Sequence, residues 1–355
     1  MIVCIDNISL GQEDLNNMKV NEIGEFELIR LLSKTLSDNY KSNELNTNYN
    51  EIVGLGDDAA VWDVPAGHQA FTADALVNDV HFDLRFIDPV DLGWKSMVSS
   101  QSDIAAMGFR PLFTTVSLGL SGNEEVDLLT KIYKGIAYAS SQFGGKVVGG
   151  DTVKSETLFI SISMLGYDPS NEFRANPLKR SSAKPGELLA VTGSVGSSAG
   201  GLRILLDNTG TLPQSQQLIE SHIKPRPQID TGVWLASNGI QCAADISDGL
   251  LADLAHICEA SKVGAEIKID ALPVDTDLKS IFPVDWEELS LSGGEDYQLV
   301  FTGTKESIDK AISSLKTSVT IIGEITDDYP EIRVLNSKGL HSNYTSSGFD
   351  HFANT

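Results

Sequence analysis

The chain has 355 residues and carries 49 Asp and Glu against 26 Lys and Arg, a formal net charge of −23. The length is that of two domains. The charge excludes nucleic acid and anionic membrane surfaces as partners, since both demand a basic footprint. With 41% hydrophobic and 21% charged residues, the chain can bury cores and is not disordered.

No apolar run approaches the roughly 18 residues of a membrane span. Met1 to Leu10 lacks the basic segment of a signal peptide. Cys4, Cys242 and Cys258 lie far apart without metal-ligand spacing, as expected of small hydrophobes in a reducing cytoplasm.

In chain order, residues 1–20 read as a polar N-terminal extension. Phe26, Leu28, Ile29, Leu32 and Leu36 recur at helical spacing and predict a helix from Glu25 to Leu36. The Asn- and Ser-rich stretch 38–50 reads as a surface loop. Strands are expected at Ala59 to Trp62, Gln69 to Thr72 and Leu112 to Leu120. Helices are expected from Pro89 to Gly108 and from Asn123 to Phe143. Lys146 to Val148 and Leu158 to Leu165 follow as strands. A punctuated stretch from Arg180 to Gly186 places a domain boundary near 170–180. Beyond it come strands at Glu187 to Thr192, Ala265 to Ile269, Tyr297 to Gly303 and Val319 to Ile325. Helices are expected at Ala199 to Asp207 and Gly249 to Ala260. The expected class is mixed α/β.

The acids are not spread as a solvated face would have them. Asp57 and Asp58 lie in Gly-Leu-Gly-Asp-Asp-Ala-Ala-Val (54–61), Asp74 in Thr-Ala-Asp (72–74), and Asp103 in Ser-Asp-Ile-Ala-Ala-Met-Gly (102–108). Asp151 follows Gly149 and Gly150. Asp245 and Asp248 lie in Asp-Ile-Ser-Asp-Gly-Leu (245–250), and Glu295 and Asp296 follow Ser-Gly-Gly (292–294). Each acid has small or apolar neighbours instead of the Lys or Arg partners a helical surface would supply. Any one segment alone reads as an ordinary turn. Six together point to carboxylates gathered around hard cations and phosphates, which suits Mg²⁺. The familiar nucleotide cradles are absent: there is no GxxxxGK[ST] and no kinase HRD or DFG set. The six histidines are dispersed without HExxH spacing, so zinc is not expected.

The ordered series GLGDDAAV, TAD with VHF, SDIAAMG, GGDT, DISDGL, SGGEDYQL and the terminal GFDHF (348–352) resembles the thiamine-monophosphate kinase family. That family sits within the aminoimidazole ribonucleotide synthetase-like superfamily. The resemblance runs from about Gly24 to Phe352. It implies a two-domain α/β architecture: an N-terminal domain at 21–172, whose sheet forms a barrel with that of a second subunit, and a layered C-terminal domain at 173–355. It implies transfer of the γ-phosphoryl of ATP to thiamine monophosphate, giving thiamine diphosphate and ADP, the last step of thiamine diphosphate biosynthesis. It further implies several Mg²⁺ ions, leaves room for K⁺, and implies a cytoplasmic homodimer.

Carried over position by position, Asp58, Thr72, Asp74, Asp103, Asp151, Asp245 and Asp248 correspond to metal ligands. Gly150, Asp151, Arg180 and Ser247 correspond to ATP-binding residues, and His81, Glu295 and Phe349 to substrate-binding ones. No general acid or base is implied. Competing readings stand beside some of these. His81 also fits a packed histidine, Arg180 a surface charge, Phe349 a core plug and Glu295 a structural turn residue. The chain departs from the family pattern at Ala73, which has no side-chain oxygen, and at Ser100-Gln101-Ser102. The alternatives are another ATP-dependent enzyme of the superfamily and a non-catalytic nucleotide-binding dimer.

Overall fold

The computed structural model describes residues 18–40, 51–53, 59–63, 67–169, 177–207, 213–336 and 341–342. Helices α1 (Val20–Ile23) and α2 (Glu25–Tyr40) lead in, followed by a small antiparallel ribbon of β1 (Glu51–Val53) and β2 (Val61–Trp62). The leading helix runs to Tyr40, so residues 38–40, expected in a loop, are helical, and 41–50 lie outside the described residues apart from the start of the ribbon at 51. Then come β3 (Gln69–Val77), α3 (Pro89–Ala106), β4 (Arg110–Leu120), α4 (Val126–Phe143), β5 (Lys146–Lys154) and β6 (Phe159–Tyr167). Four of these strands form a sheet in the order β3-β6-β4-β5, antiparallel except for β4 with β5. The strand expected at Lys146 to Val148 takes in Gly149 to Asp151 as well, because the parallel ladder with β4 continues to the pair Leu120 with Lys154.

Helix α3 starts sharply. Asp88 accepts from the Val90 amide at 2.8 Å and Pro89 occupies the first turn. It is buried on nearly every side, so its polar residues cannot be solvent decoration. Close packing on α4 requires glycine at two facing points: a Cβ on Gly93 would stand 1.8 Å from the Ile132 carbonyl oxygen, and one on Gly135 1.8 Å from that of Val90. α3 covers one face of the sheet. On the other face Trp62 of the small ribbon packs on Phe113, while Phe71 is 72% exposed among the described residues.

The second half holds β7 (Leu188–Thr192), α5 (Ser197–Leu206), α6 (Pro213–Ile223), α7 (Ile229–Ser237), β8 (Cys242–Asp245), α8 (Leu250–Ser261) and β9 (Gly264–Lys268). It continues with α9 (Thr276–Ile281), α10 (Trp286–Ser292), β10 (Leu299–Gly303), α11 (Lys305–Ser314), β11 (Val319–Thr326), β12 (Ile332–Leu335) and β13 (His341–Ser342). Its strands form one sheet in the order β13-β12-β9-β11-β7-β10-β8, antiparallel except for β12 with β9. Several of these elements, among them α6, α7, α11, β8 and β12, were not expected from the sequence. β8 has only four residues, all buried, too short for alternation to register.

The two halves are packed along α3. Trp94 Nε1 donates to the Pro225 carbonyl at 2.7 Å, and a Cβ on Gly232 of α7 would meet the Ala105 carbonyl oxygen at 2.0 Å. Cys242 and Cys258 are buried free thiols, and burial pushes them up to about 12 and about 11. They are inert at neutral pH. No described helix is long and apolar enough to cross a membrane.

Candidate active site

The seam between the halves opens into a cleft of about 1290 Å³. Three of its carboxylates come from three different elements. Asp74 projects from β3 on the face that α3 covers, Asp103 comes from α3, and Asp245 ends β8. Each is held by one hydroxyl. Ser100 Oγ donates to Asp74 at 2.6 Å, Thr72 Oγ1 to Asp103 at 2.5 Å and Ser102 Oγ to Asp245 at 2.7 Å. Thr72 therefore reaches the cluster through Asp103.

A hydroxyl orients a carboxylate but does not neutralise it. Burial pushes Asp74 up to about 6, aided by the charge of Asp103 and opposed by Ser100. Burial, then Asp103, pushes Asp245 up to about 8. Asp103 also rises, because burial outweighs the Thr72 bond and the field of Arg180. Buried carboxylates that repel one another want added cations. The donors are hard oxygens, so the set fits Mg²⁺. Arg180 acts on both Asp103 and Asp245 through its field.

The next wall is the loop Asp245 to Gly249. Asp253, from the first turn of α8, accepts from the amides of Ser247, Asp248 and Gly249 at 3.0, 3.1 and 3.2 Å. That cradle presents Ser247 and Asp248 to the cleft. The Glu295 amide donates to the Ser247 carbonyl at 2.8 Å, and the Tyr297 amide to that of Ile246 at 2.9 Å. Glycine is needed at 294, where a Cβ would stand 2.5 Å from the Ser247 carbonyl oxygen. Glu295 and Tyr297 take positive φ values of 64° and 49°. Such backbone is costly for residues with a side chain and clusters at functional sites.

Glu295 differs from the other acids. Lys95 of α3, only 1% exposed, places Nζ 2.9 Å from Glu295 Oε2 and 3.3 Å from His222 Nε2. His222 Nδ1 lies 3.1 Å from Ser198 Oγ and 3.5 Å from Glu295 Oε2. Burial would raise Glu295, but Lys95 and the nearby histidines outweigh it and hold the carboxyl below the usual range. Burial, reinforced by Lys95, pushes His222 down to about 3, so it is a neutral ring. His81 lies in the same cleft and accepts from the Val77 amide through Nδ1 at 3.1 Å. Its neutral form therefore carries the hydrogen on Nε2.

Several expectations are sharpened. Asp74, Asp103, Asp245, Ser247, Asp248, His81 and Glu295 share the cleft. Gly150 and Asp151 stand apart in the single chain. The register places Asp151 in line with Ser117, Ser161 and Ala75, on the sheet face opposite α3, and β5 lies three strand spacings, about 14 Å, from β3. Asp296 has a structural task. It accepts from the amides of Gly196 and Ser198 at 2.5 and 3.0 Å and caps α5. Asp58 and Phe349 lie outside the described residues. Lys95, His222, Asp253 and Tyr297 were not singled out from sequence. The Tyr297 phenol is buried within the fields of Glu295, Asp74, Asp245 and Asp103, which with burial raise it well above its ordinary value. The SGGEDY segment contains Tyr297, whereas Asp253 lies three residues beyond DISDGL. Nothing local marked Lys95 or His222.

Comparison with known proteins gives a consistent family. Residues 56–167 match the N-terminal domain of the AIR synthase related proteins and residues 184–348 the C-terminal domain. The thiamine-monophosphate kinase of Buchnera aphidicola is 35% identical, with 93% of this chain aligned to 99% of that protein. That of Bacillus subtilis is 33% identical, over 84% and 93%. The crystal structure of the Stenotrophomonas maltophilia thiamine-monophosphate kinase superposes with a TM-score of 0.76 at 30% identity, covering 87% of this chain and 97% of that one. The structure of AaThiL complexed with AMPPCP and TMP superposes at 0.72 with 31% identity, covering 94% and 99%. Hydrogenase maturation proteins share the fold alone, at 20% identity. On this agreement in sequence, fold and coverage, the chain belongs to the thiamine-monophosphate kinase family of the AIR synthase related proteins.

Proposed function

We propose that this protein is an ATP-dependent kinase that transfers the γ-phosphoryl of ATP to thiamine monophosphate, forming thiamine diphosphate and ADP. The observation that carries the reading is the trio at the seam, buried Asp245 with half-buried Asp74 and Asp103, each oriented by a hydroxyl and short of positive charge. Two polyanions must meet in this reaction, and their mutual repulsion is the obstacle. Mg²⁺ would be held by these carboxylates and would supply the neutralising charge that the two polyanions need.

Asp58, Thr72, Asp74, Asp103, Asp151, Asp245 and Asp248 are the residues we assign to Mg²⁺. Gly150, Asp151, Arg180 and Ser247 are assigned to ATP, and His81, Glu295 and Phe349 to the thiamine phosphate. The acceptor is a phosphate monoester, already anionic near neutrality, so no side chain has to take its proton. What the residues do is orient. The hydroxyls aim the carboxylates, Asp253 shapes the Ser247–Asp248 loop, and Arg180 adds positive charge beside Asp103 and Asp245.

A homodimer belongs to the same reading, within domains at 21–172 and 173–355 and a cytoplasmic setting. The exposed part of the sheet face around Phe71 is the surface a second copy would cover, closing the two sheets into a barrel. Asp151 stands on that face, so its role is tied to the dimer. Phe71→Arg is expected to convert dimer to monomer in sedimentation and to lower activity in parallel; a monomeric wild type would remove the dimer from the reading. The reaction itself is tested by coupled ADP release with and without thiamine monophosphate, in Mg²⁺ and in EDTA. Release that ignores either thiamine phosphate or Mg²⁺ sinks the assignment.

A further inference from the structure

The buried Lys95 is not explained by transfer chemistry. It sits on α3 in the first half of the chain, and its partners Glu295, His222 and, through His222, Ser198 come from the second half. Its aliphatic stem and ammonium are 1% exposed. A buried lysine costs several kcal/mol unless its partners compensate it, so the surrounding groups set its geometry. Neutral His222 can accept only through the ring nitrogen without hydrogen. With Nε2 accepting from Lys95, Nδ1 carries the hydrogen toward Ser198 Oγ, at 3.1 Å. The ring thus acts as a fixed spacer behind the ammonium. Lys95 is left to donate to Glu295.

Both contacts to Glu295, from Lys95 at 2.9 Å and from His222 at 3.5 Å, fall on Oε2. The side chain is 28% exposed and lines the cleft, so Oε1 remains for a ligand. The other charged neighbours are His81 across the cleft and Asp296 next in the chain. We propose that Lys95 is a positioning residue: by pinning Oε2 from across the seam, it aims Glu295 Oε1 at the cationic or N–H-donating ring system of the thiamine phosphate. Lys95 makes no contact of its own with the substrate in this assignment. It couples substrate recognition to the register of the two halves, since any slip of α3 would release Glu295.

This inference rests on the kinase reading, and the wild-type enzyme tests that reading separately through thiamine-phosphate-dependent ADP release. With that activity in hand, Lys95→Met keeps the length of the stem and removes the charge. The expected result is a KM for thiamine monophosphate raised by at least about tenfold, the loss of one charge-assisted hydrogen bond, with KM for ATP within about twofold. Glu295→Gln should show the same split, and the double variant should lose no more than the worse single one. Lys95→Arg, which keeps the charge, should recover part of the KM. If Lys95→Met does not fold, Lys95→Arg and Glu295→Gln are compared by calorimetric titration with thiamine monophosphate and with an ATP analogue. Parallel weakening of both ligands, or losses that add in the double variant, would overturn the proposal and leave Lys95 as core packing.

Discussion

The cleft contains two carboxylate corners driven in opposite directions. At one, buried Asp245 and half-buried Asp74 and Asp103 share the cleft, each with one hydroxyl, and all are raised. At the other, Glu295 is paired to a buried lysine and is lowered. Burial raises carboxyls at both corners, so burial does not decide the outcome. What decides it is whether the fold supplies a cation. The first corner leaves its charge unpaired and so requires cations from solution. The second has its own cation and keeps a fixed anion ready at any metal concentration. A kinase that joins two polyanions while recognising a heterocycle needs both kinds.

The sharpest way to break this contrast is to neutralise the first corner. Asp245→Asn keeps the shape and removes a buried charge. Turnover is expected to fall by about 10³-fold or more, as for loss of a group that stabilises transition-state charge. The metal-free protein should keep or gain thermal stability, because an uncompensated buried charge has been removed. A variant with near-normal kcat would take Asp245 out of the metal set. Asp103→Asn should behave likewise.

A second test uses pH in the absence of metal. The folded-state pKa values of Asp74 and Asp245, about 6 and about 8, lie above the ordinary carboxylate value of 3.8. The folded protein then holds protons that the unfolded chain has released. Stability from these groups is full at acid pH and is lost as pH rises through the interval from about 4 to about 8. In EDTA, Tm should therefore fall between about pH 5 and pH 8. Added Mg²⁺ should raise Tm more at the upper pH, where the carboxylates are ionised. Asp245→Asn should flatten the EDTA slope. An unchanged slope in that variant would mean that the raised carboxyls do not control stability.

The first corner was legible in the sequence and the second only in part. Asp74, Asp103, Asp245 and Asp248 stand among small residues with no basic neighbour, and in the fold all four line one cleft. The helix from Pro89 was also legible, because Asp88 and Pro89 mark its start. Lys95 was not. It lies in an ordinary-looking turn of that helix, and its partner Glu295 is 200 positions away. The seven-stranded sheet was harder still. β8 is four residues long and β12 joins β9 in parallel from a distant segment, so no local period announces either. Asp151 marks another limit. Sequence grouped it with the metal ligands, while the sheet register places it on the opposite face of the strand layer from Asp74.

Glu295 and Asp296 compress the same contrast into neighbouring residues, and the smallest effect is expected there. Asp296 is buried, and burial pushes it up to about 7 against the two amides that it accepts from. Those amides, of Gly196 and Ser198, begin α5, so Asp296 acts as a cap supplied from a distant loop. Asp296→Ala should cost about 1–2 kcal/mol, the usual value of a lost cap. For a chain of this size that lowers Tm by about 2–8 °C. Because the carboxylate points at the helix and away from the cleft, kcat and both KM values should stay within about twofold. Asp296→Asn keeps one acceptor oxygen and should lose less. A selective rise in KM for thiamine monophosphate in Asp296→Ala would show that the cap also steers Glu295 through the shared backbone. Unchanged KM values with a lower Tm would separate the two adjacent acids into one that meets the ligand and one that holds the helix beside it.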